Sequence, residues 1–133
     1  SPEEALDQLR ELPAVRAAGA TVSLLQYELP SWRGHVCATD KVFPAWETRE
    51  ESPVFRSALE TARRVLGREP RLHRSAFSSH GCAITGQFGI PTIGFGPADE
   101  SHSHTVDDQI PLAQLQPAMA FYALFPFLYH GMA

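Results

Sequence analysis

Residues 77–97, FSSHGCAITGQFGIPTIGFGP, hold five of the chain's nine glycines: Gly81, Gly86, Gly89, Gly94 and Gly96. Around the run Ile90-Pro91-Thr92-Ile93-Gly94-Phe95 this density predicts a buried strand that other backbone, or a ligand, approaches closely, because glycine leaves room where a Cβ would not. At the front of the stretch, Phe77-Ser78-Ser79-His80-Gly81 sets small hydroxyl residues before a glycine. Such a turn leaves backbone N–H groups exposed, a nest for a carboxylate or an oxyanion. The alternative is a tight strand-to-helix turn in which Ser and Gly serve geometry alone. A serine nucleophile is disfavoured, since G-x-S-x-G is absent and no base can be assigned. Cys82 reads as a small buried packing residue rather than a reactive thiol.

Upstream, Ser52-Pro53 opens a helix whose apolar stripe is Phe55, Ala58, Leu59, Ala62 and Leu66, closed by Gly67. Glu50 and Glu51 lie near its positive end and Arg63, Arg64 and Arg68 near its negative end, as the helix dipole favours. The chain begins with Ser1-Pro2-Glu3-Glu4, a capping box with proline in the first turn, and a helix carrying Leu6, Leu9 and Leu12 that stops at Pro13. Strands are predicted over Thr21–Tyr27 and Gly34–Thr39. Downstream, Leu115, Met119, Tyr122 and Phe125 recur at helical spacing, with Pro117 either in the first turn or kinking the helix. Trp32 and Trp46, each near a proline, are expected to cover apolar surface under loops. The boundary between the two pieces is placed in residues 38–51.

At 133 residues, with 44% apolar and 20% charged residues, the composition is globular. The net charge of −4 provides no basic face for nucleic acid. The nearly apolar stretch Ala118–Tyr129 is too short to span a bilayer and contains Pro126, so no membrane segment is expected. Cys37 and Cys82 form neither a disulfide framework nor a zinc knuckle, which favours a reducing, cytoplasmic setting. Opening on a helix cap at Ser1 without Met, the chain is expected to follow preceding sequence.

Three of the six histidines, His80, His102 and His104, fall among these turns. Asp99, Glu100, Asp107 and Asp108 bracket the last two, so the segment could present an imidazole to a metal with carboxylates to orient it. A solvated acidic loop that happens to carry histidines fits the spacing as well. A zinc site needs three or four protein ligands, and no H-E-x-x-H or similar cluster accompanies these residues. His35, His73 and His130 read as surface or satisfied residues.

The order of motifs, FSSHG, Gly86, GIPTIGFGP and then Ser103-His104-Thr105 before Asp107-Asp108, resembles the C-terminal part of the zinc-dependent family that includes acetylornithine deacetylase, succinyl-diaminopimelate desuccinylase and the aminoacylases. LPSWRG (29–34) and FPAW (43–46) are similar to a branch linked to selenium or purine metabolism. The resemblance implies an α/β fold class. The chain would be the C-terminal portion of a two-domain metallohydrolase: residues 1–40 the second half of a ferredoxin-like lid or dimerisation domain, and 41–133 the end of the catalytic α/β domain. It also implies hydrolysis of an N-acyl amino acid or peptide-like amide with two zinc ions, or cobalt or manganese in their place, and a glutamate outside this chain as general base. His104 matches the family's last metal ligand, and His102 matches no role. The backbone of Ser78, Ser79 and Gly81 would receive the substrate's carboxylate or the oxyanion. The partners implied are the small substrate, the missing N-terminal part of the same protein and a second copy, and residues 38–51 become a candidate hinge.

This sequence departs from the family pattern at several points. His80 stands where relatives have Asn or Asp, Gln87 where the selenium-linked branch has Arg, Ala98 in place of the last Gly of G-F-G-P-G, Val106 in place of Pro, and Asp108 in place of Glu. Exchanging a bidentate guanidinium for other groups alters anion recognition. These changes keep a second reading open, a non-catalytic relative acting as a binding or dimerisation module.

Overall fold

The computed structural model describes residues 1–132. The chain divides into two compact units, one ending at Pro44 and one beginning at Ala45.

The first unit contains helices α1 (Pro2–Arg10) and α2 (Pro13–Ala18) and strands β1 (Gln26–Tyr27) and β2 (Thr39–Asp40). The capping box at the start of α1 forms: Ser1 Oγ accepts the Glu4 N–H at 3.2 Å, and the Glu4 carboxylate accepts from the Ser1 nitrogen. Pro13 ends α1 and also begins α2, because a residue with no N–H costs a new helix nothing in its first turn. Gly19, at φ +59°, closes α2. The strands are much shorter than their composition predicts. Only Gln26↔Asp40 and Tyr27↔Thr39 pair, antiparallel, and both strands are exposed. With no buried face to pin register, β propensity alone does not extend a two-stranded ladder. The tip between them turns at Gly34 (φ +80°) and leaves Trp32 88% exposed, with Arg33 over its ring at 4.6 Å. Trp32 therefore does not cover apolar surface, as its sequence context had predicted.

The second unit is built on α3 (Pro53–Leu66) and α5 (Leu112–Met132), which pack on each other, with α4 (Gly81–Ile84) and a 3-10 turn (Glu100–His102) between them. The core is Ala58, Ala62 and Phe121, flanked by Val65, Leu66, Ile93, Phe95 and Phe125. The most deeply buried face of α3 is Ser57, Ala58, Thr61 and Ala62, while Phe55 and Leu59 are half-buried. Small residues at the contact let α5 come close, and the volume is filled from its side by Phe121, whose ring stacks on Phe95 at 3.9 Å. Thr61 is tolerated there because its hydroxyl donates to the Ser57 carbonyl at 2.6 Å. Gly67 (φ +63°) ends α3 as expected. Ser52 precedes the helix without capping it, and its Oγ is buried with no hydrogen-bond partner among the described residues.

Ile90–Phe95, expected as a buried strand, is extended but pairs with no strand among the described residues. Its side chains still alternate as in a strand: Ile93 and Phe95 pack on the core, whereas a Cβ at Gly94 or Gly96 would meet nothing within 4 Å. Helix α5 runs through both Pro117 and Pro126, so Pro117 lies past the first turn. Among the described residues no helix is long and apolar enough to cross a membrane.

Candidate functional site

The turn Phe77–Gly81 leads directly into α4. The Cys82 N–H donates to the Ser79 carbonyl at 3.0 Å, and those of Ala83 and Ile84 to the His80 carbonyl. Gly81 is buried, and its N–H donates to Ser79 Oγ at 3.1 Å. Ser78, Ser79 and His80 are exposed, and their N–H groups meet no acceptor among the described residues. Of the three positions marked by the sequence for receiving an anion, the Gly81 N–H is thus already engaged by Ser79 Oγ, while those of Ser78 and Ser79 make no hydrogen bond among the described residues.

His104 lies beside this turn. Its ring meets Phe77 edge to face, with centroids 5.7 Å apart and planes at 66°. It is exposed and sits at φ +61°, a left-handed backbone that few non-glycine residues adopt. The preceding 3-10 turn is capped by Asp99, whose carboxylate accepts the Ser101 N–H at 2.9 Å. That hydrogen bond, with lesser help from the Ser101 side chain and the charge of His102, holds the Asp99 carboxyl below its ordinary pKa. His102 is half-buried and, with Ser101, Thr105, Asp107, Asp108 and Gln109, lines an open cleft of about 550 Å³. No group of three or more His, Cys, Asp or Glu side chains able to hold a metal occurs among the described residues. His104 contributes one exposed imidazole here, in ring contact with Phe77.

Residues 46–48, which the sequence marks only as a cover under a loop at Trp46 and as part of the 38–51 connection, all hold this region. The Trp46 indole lies over Gly81 so closely that an added Cβ would overlap the ring. Glu47 accepts from Arg74 Nη2 at 2.9 Å, which raises the Arg74 pKa. Thr48 Oγ1 accepts the Thr92 N–H at 3.0 Å and donates to the Thr92 carbonyl. A lone tryptophan near a proline gives no local signal of a partner 35 positions on.

The departing positions are all placed. His80 is the N-cap residue of α4, in helical conformation. Gln87 is exposed, Val106 is fully exposed and Asp108 lines the cleft. Ala98, standing where the resemblance expects glycine, takes φ +96°. Cys82 is buried, as a packing residue would be.

No family model matches the chain, and no solved structure matches it. Among known proteins it is similar to YgeY of Escherichia coli K12, whose name states no activity, at 37% identity over 124 residues, 93% of this chain and 31% of that protein. It is 28% identical over 71 residues to a putative LysW-lysine/LysW-ornithine hydrolase of Pyrococcus abyssi, 53% of this chain and 21% of the relative. It is also 29% identical over 87 residues to an N-formyl-4-amino-5-aminomethyl-2-methylpyrimidine deformylase of Halalkalibacterium halodurans, 64% of this chain and 20% of the relative. The chain therefore spans about a third or less of the relatives it matches, and two of them carry the names of hydrolytic enzymes.

Proposed function

We propose that this chain is the C-terminal part of a metal-dependent hydrolase that cleaves N-acyl amino acids or peptide-like amides. The observation that carries the reading is the contact of His104 with Phe77, which puts a free imidazole beside a turn whose Ser78 and Ser79 N–H groups are open. Two partial relatives named as a hydrolase and a deformylase support the reaction class. In this reading the Ser78–Ser79 backbone orients the substrate's carboxylate or acyl oxygen by donated hydrogen bonds, charge-assisted where the acceptor is anionic. His104 donates a ring nitrogen to one of two zinc ions, the remaining ligands and the general base coming from polypeptide outside this chain. The metal, when bound, supplies Lewis-acid polarisation of the scissile carbonyl. Buried Gly81 and its bond to Ser79 Oγ keep the turn in shape.

The test is zinc titration and amidase assay of the longer polypeptide against its His104→Ala variant. The expected outcome is loss of about one zinc equivalent and of activity by about 100-fold or more, since metal ligands are rarely replaceable. Unchanged stoichiometry and turnover would overturn the ligand assignment. The 133-residue chain by itself, given zinc, is expected to show no amidase activity.

A further inference from the structure

We infer that Trp46, Glu47 and Thr48 form a positioning strap for the proposed binding turn, with Trp46 and Thr48 as its effective members. Three consecutive residues each fasten a different segment: Trp46 lies on Gly81 at the end of the turn, Glu47 holds Arg74 just before it, and Thr48 holds Thr92 in the extended run. The three contacts differ in kind. The Glu47–Arg74 pair is exposed at both ends, 73% and 88%, so water and salt weaken it and it adds least.

The Thr48 hydroxyl is half-buried and does the work of a neighbouring strand, accepting and donating at the one residue Thr92. Without it both backbone groups of Thr92 would lack that partner. The indole of Trp46 is the cover that only a glycine at 81 permits. Gly81 in turn donates to Ser79 Oγ, so pressure on Gly81 is relayed to the serine whose N–H is open. Ser78 and Ser79 are themselves exposed, and Ser79 is held locally through its carbonyl, which accepts the Cys82 N–H, and its hydroxyl, which accepts the N–H of the Gly81 that Trp46 covers. The strap therefore fixes where their N–H groups point and spares a ligand the cost of ordering them.

This inference rests on the reading of the turn as a carboxylate site, and one experiment separates the two. The full 133-residue chain is titrated with N-acetylglycine while the Ser78 and Ser79 amide resonances are followed. Wild-type shifts that saturate support the carboxylate reading; their absence overturns it and the strap's role together. Given wild-type binding, Trp46→Ala and Thr48→Val are each expected to weaken it about tenfold. Trp46→Phe and Thr48→Ser, which keep a ring and a hydroxyl, should stay within about threefold of wild type. Binding unchanged in both Trp46→Ala and Thr48→Val would overturn the strap while leaving the carboxylate reading intact. Should Trp46→Ala lose its helical circular dichroism, the Thr48→Val and Thr48→Ser pair decides. Gly81→Ala supplies an independent check: it should shift these amides in the wild-type background and far less beside Trp46→Gly, and equal shifts in both would overturn the contact.

Discussion

At the scale of single residues, backbone conformation separates positions that tolerate substitution from those under strain. Ala98 takes φ +96° in the loop where glycine is the residue expected by resemblance, and its N–H is held by Gln114 Oε1 at 2.7 Å. A Cβ in that region clashes with its own backbone. Replacing it relieves that clash, while glycine gives back part of the gain by loosening the unfolded chain. Ala98→Gly is accordingly expected to stabilise the chain by about 1 kcal/mol, read as an increase in the denaturation midpoint. A lower midpoint would show that the loop accommodates the methyl without strain. His104 also has positive φ, at +61°, yet glycine there would remove the very imidazole that the functional reading needs. Nothing in the residue order around His104 announces this conformation. The motif S-H-T marks the histidine, while its place just past the 3-10 turn and its ring contact with Phe77 are seen only in the folded chain.

Among elements, the α3–α5 pair provides the second unit's core, and Phe121 is its centre. At 2% exposure it stacks on Phe95 and Phe125 and sits over the small face of α3. Truncating such a side chain removes both its transfer free energy and the contacts lining the space left behind. Phe121→Ala is expected to cost about 3–5 kcal/mol in denaturant unfolding followed by helical circular dichroism, enough to abolish the fold of a marginal unit. A loss below about 1 kcal/mol would mean that α5 is not held through this ring. The α3 boundaries were readable because proline and glycine act locally: Pro53 suits a first turn and Gly67 takes the left-handed closing conformation. The stripe was legible only in part, since Phe55 and Leu59 are half-buried and the deepest positions belong to Ser57 and Thr61, which hydropathy alone places outside.

At the level of the whole molecule, exposed large apolar side chains occur in both units, among them Leu29 and Trp32 in the first and Phe88, Met119 and Phe127 in the second. The extended run over residues 90–95 also has no strand beside it among the described residues. Exposed apolar surface of this kind favours association. The chain alone is expected to self-associate, with a sedimentation coefficient that rises with concentration and increased binding of a hydrophobic dye. A concentration-independent monomer with a single cooperative unfolding transition would contradict this. Some features needed only the order of residues: the capping box at Ser1–Glu4, the ends of α3, and a serine-glycine turn followed by His104, because caps, breakers and motifs act over a few positions. Others were decided in three dimensions. The strands shrank to two residues each because a strand requires a partner and a buried face, and neither is written in its own composition. Trp46 and Thr48 acquired their roles from Gly81 and Thr92, each more than 30 positions away along the chain, and contacts at that range arise only when the backbone folds back on itself.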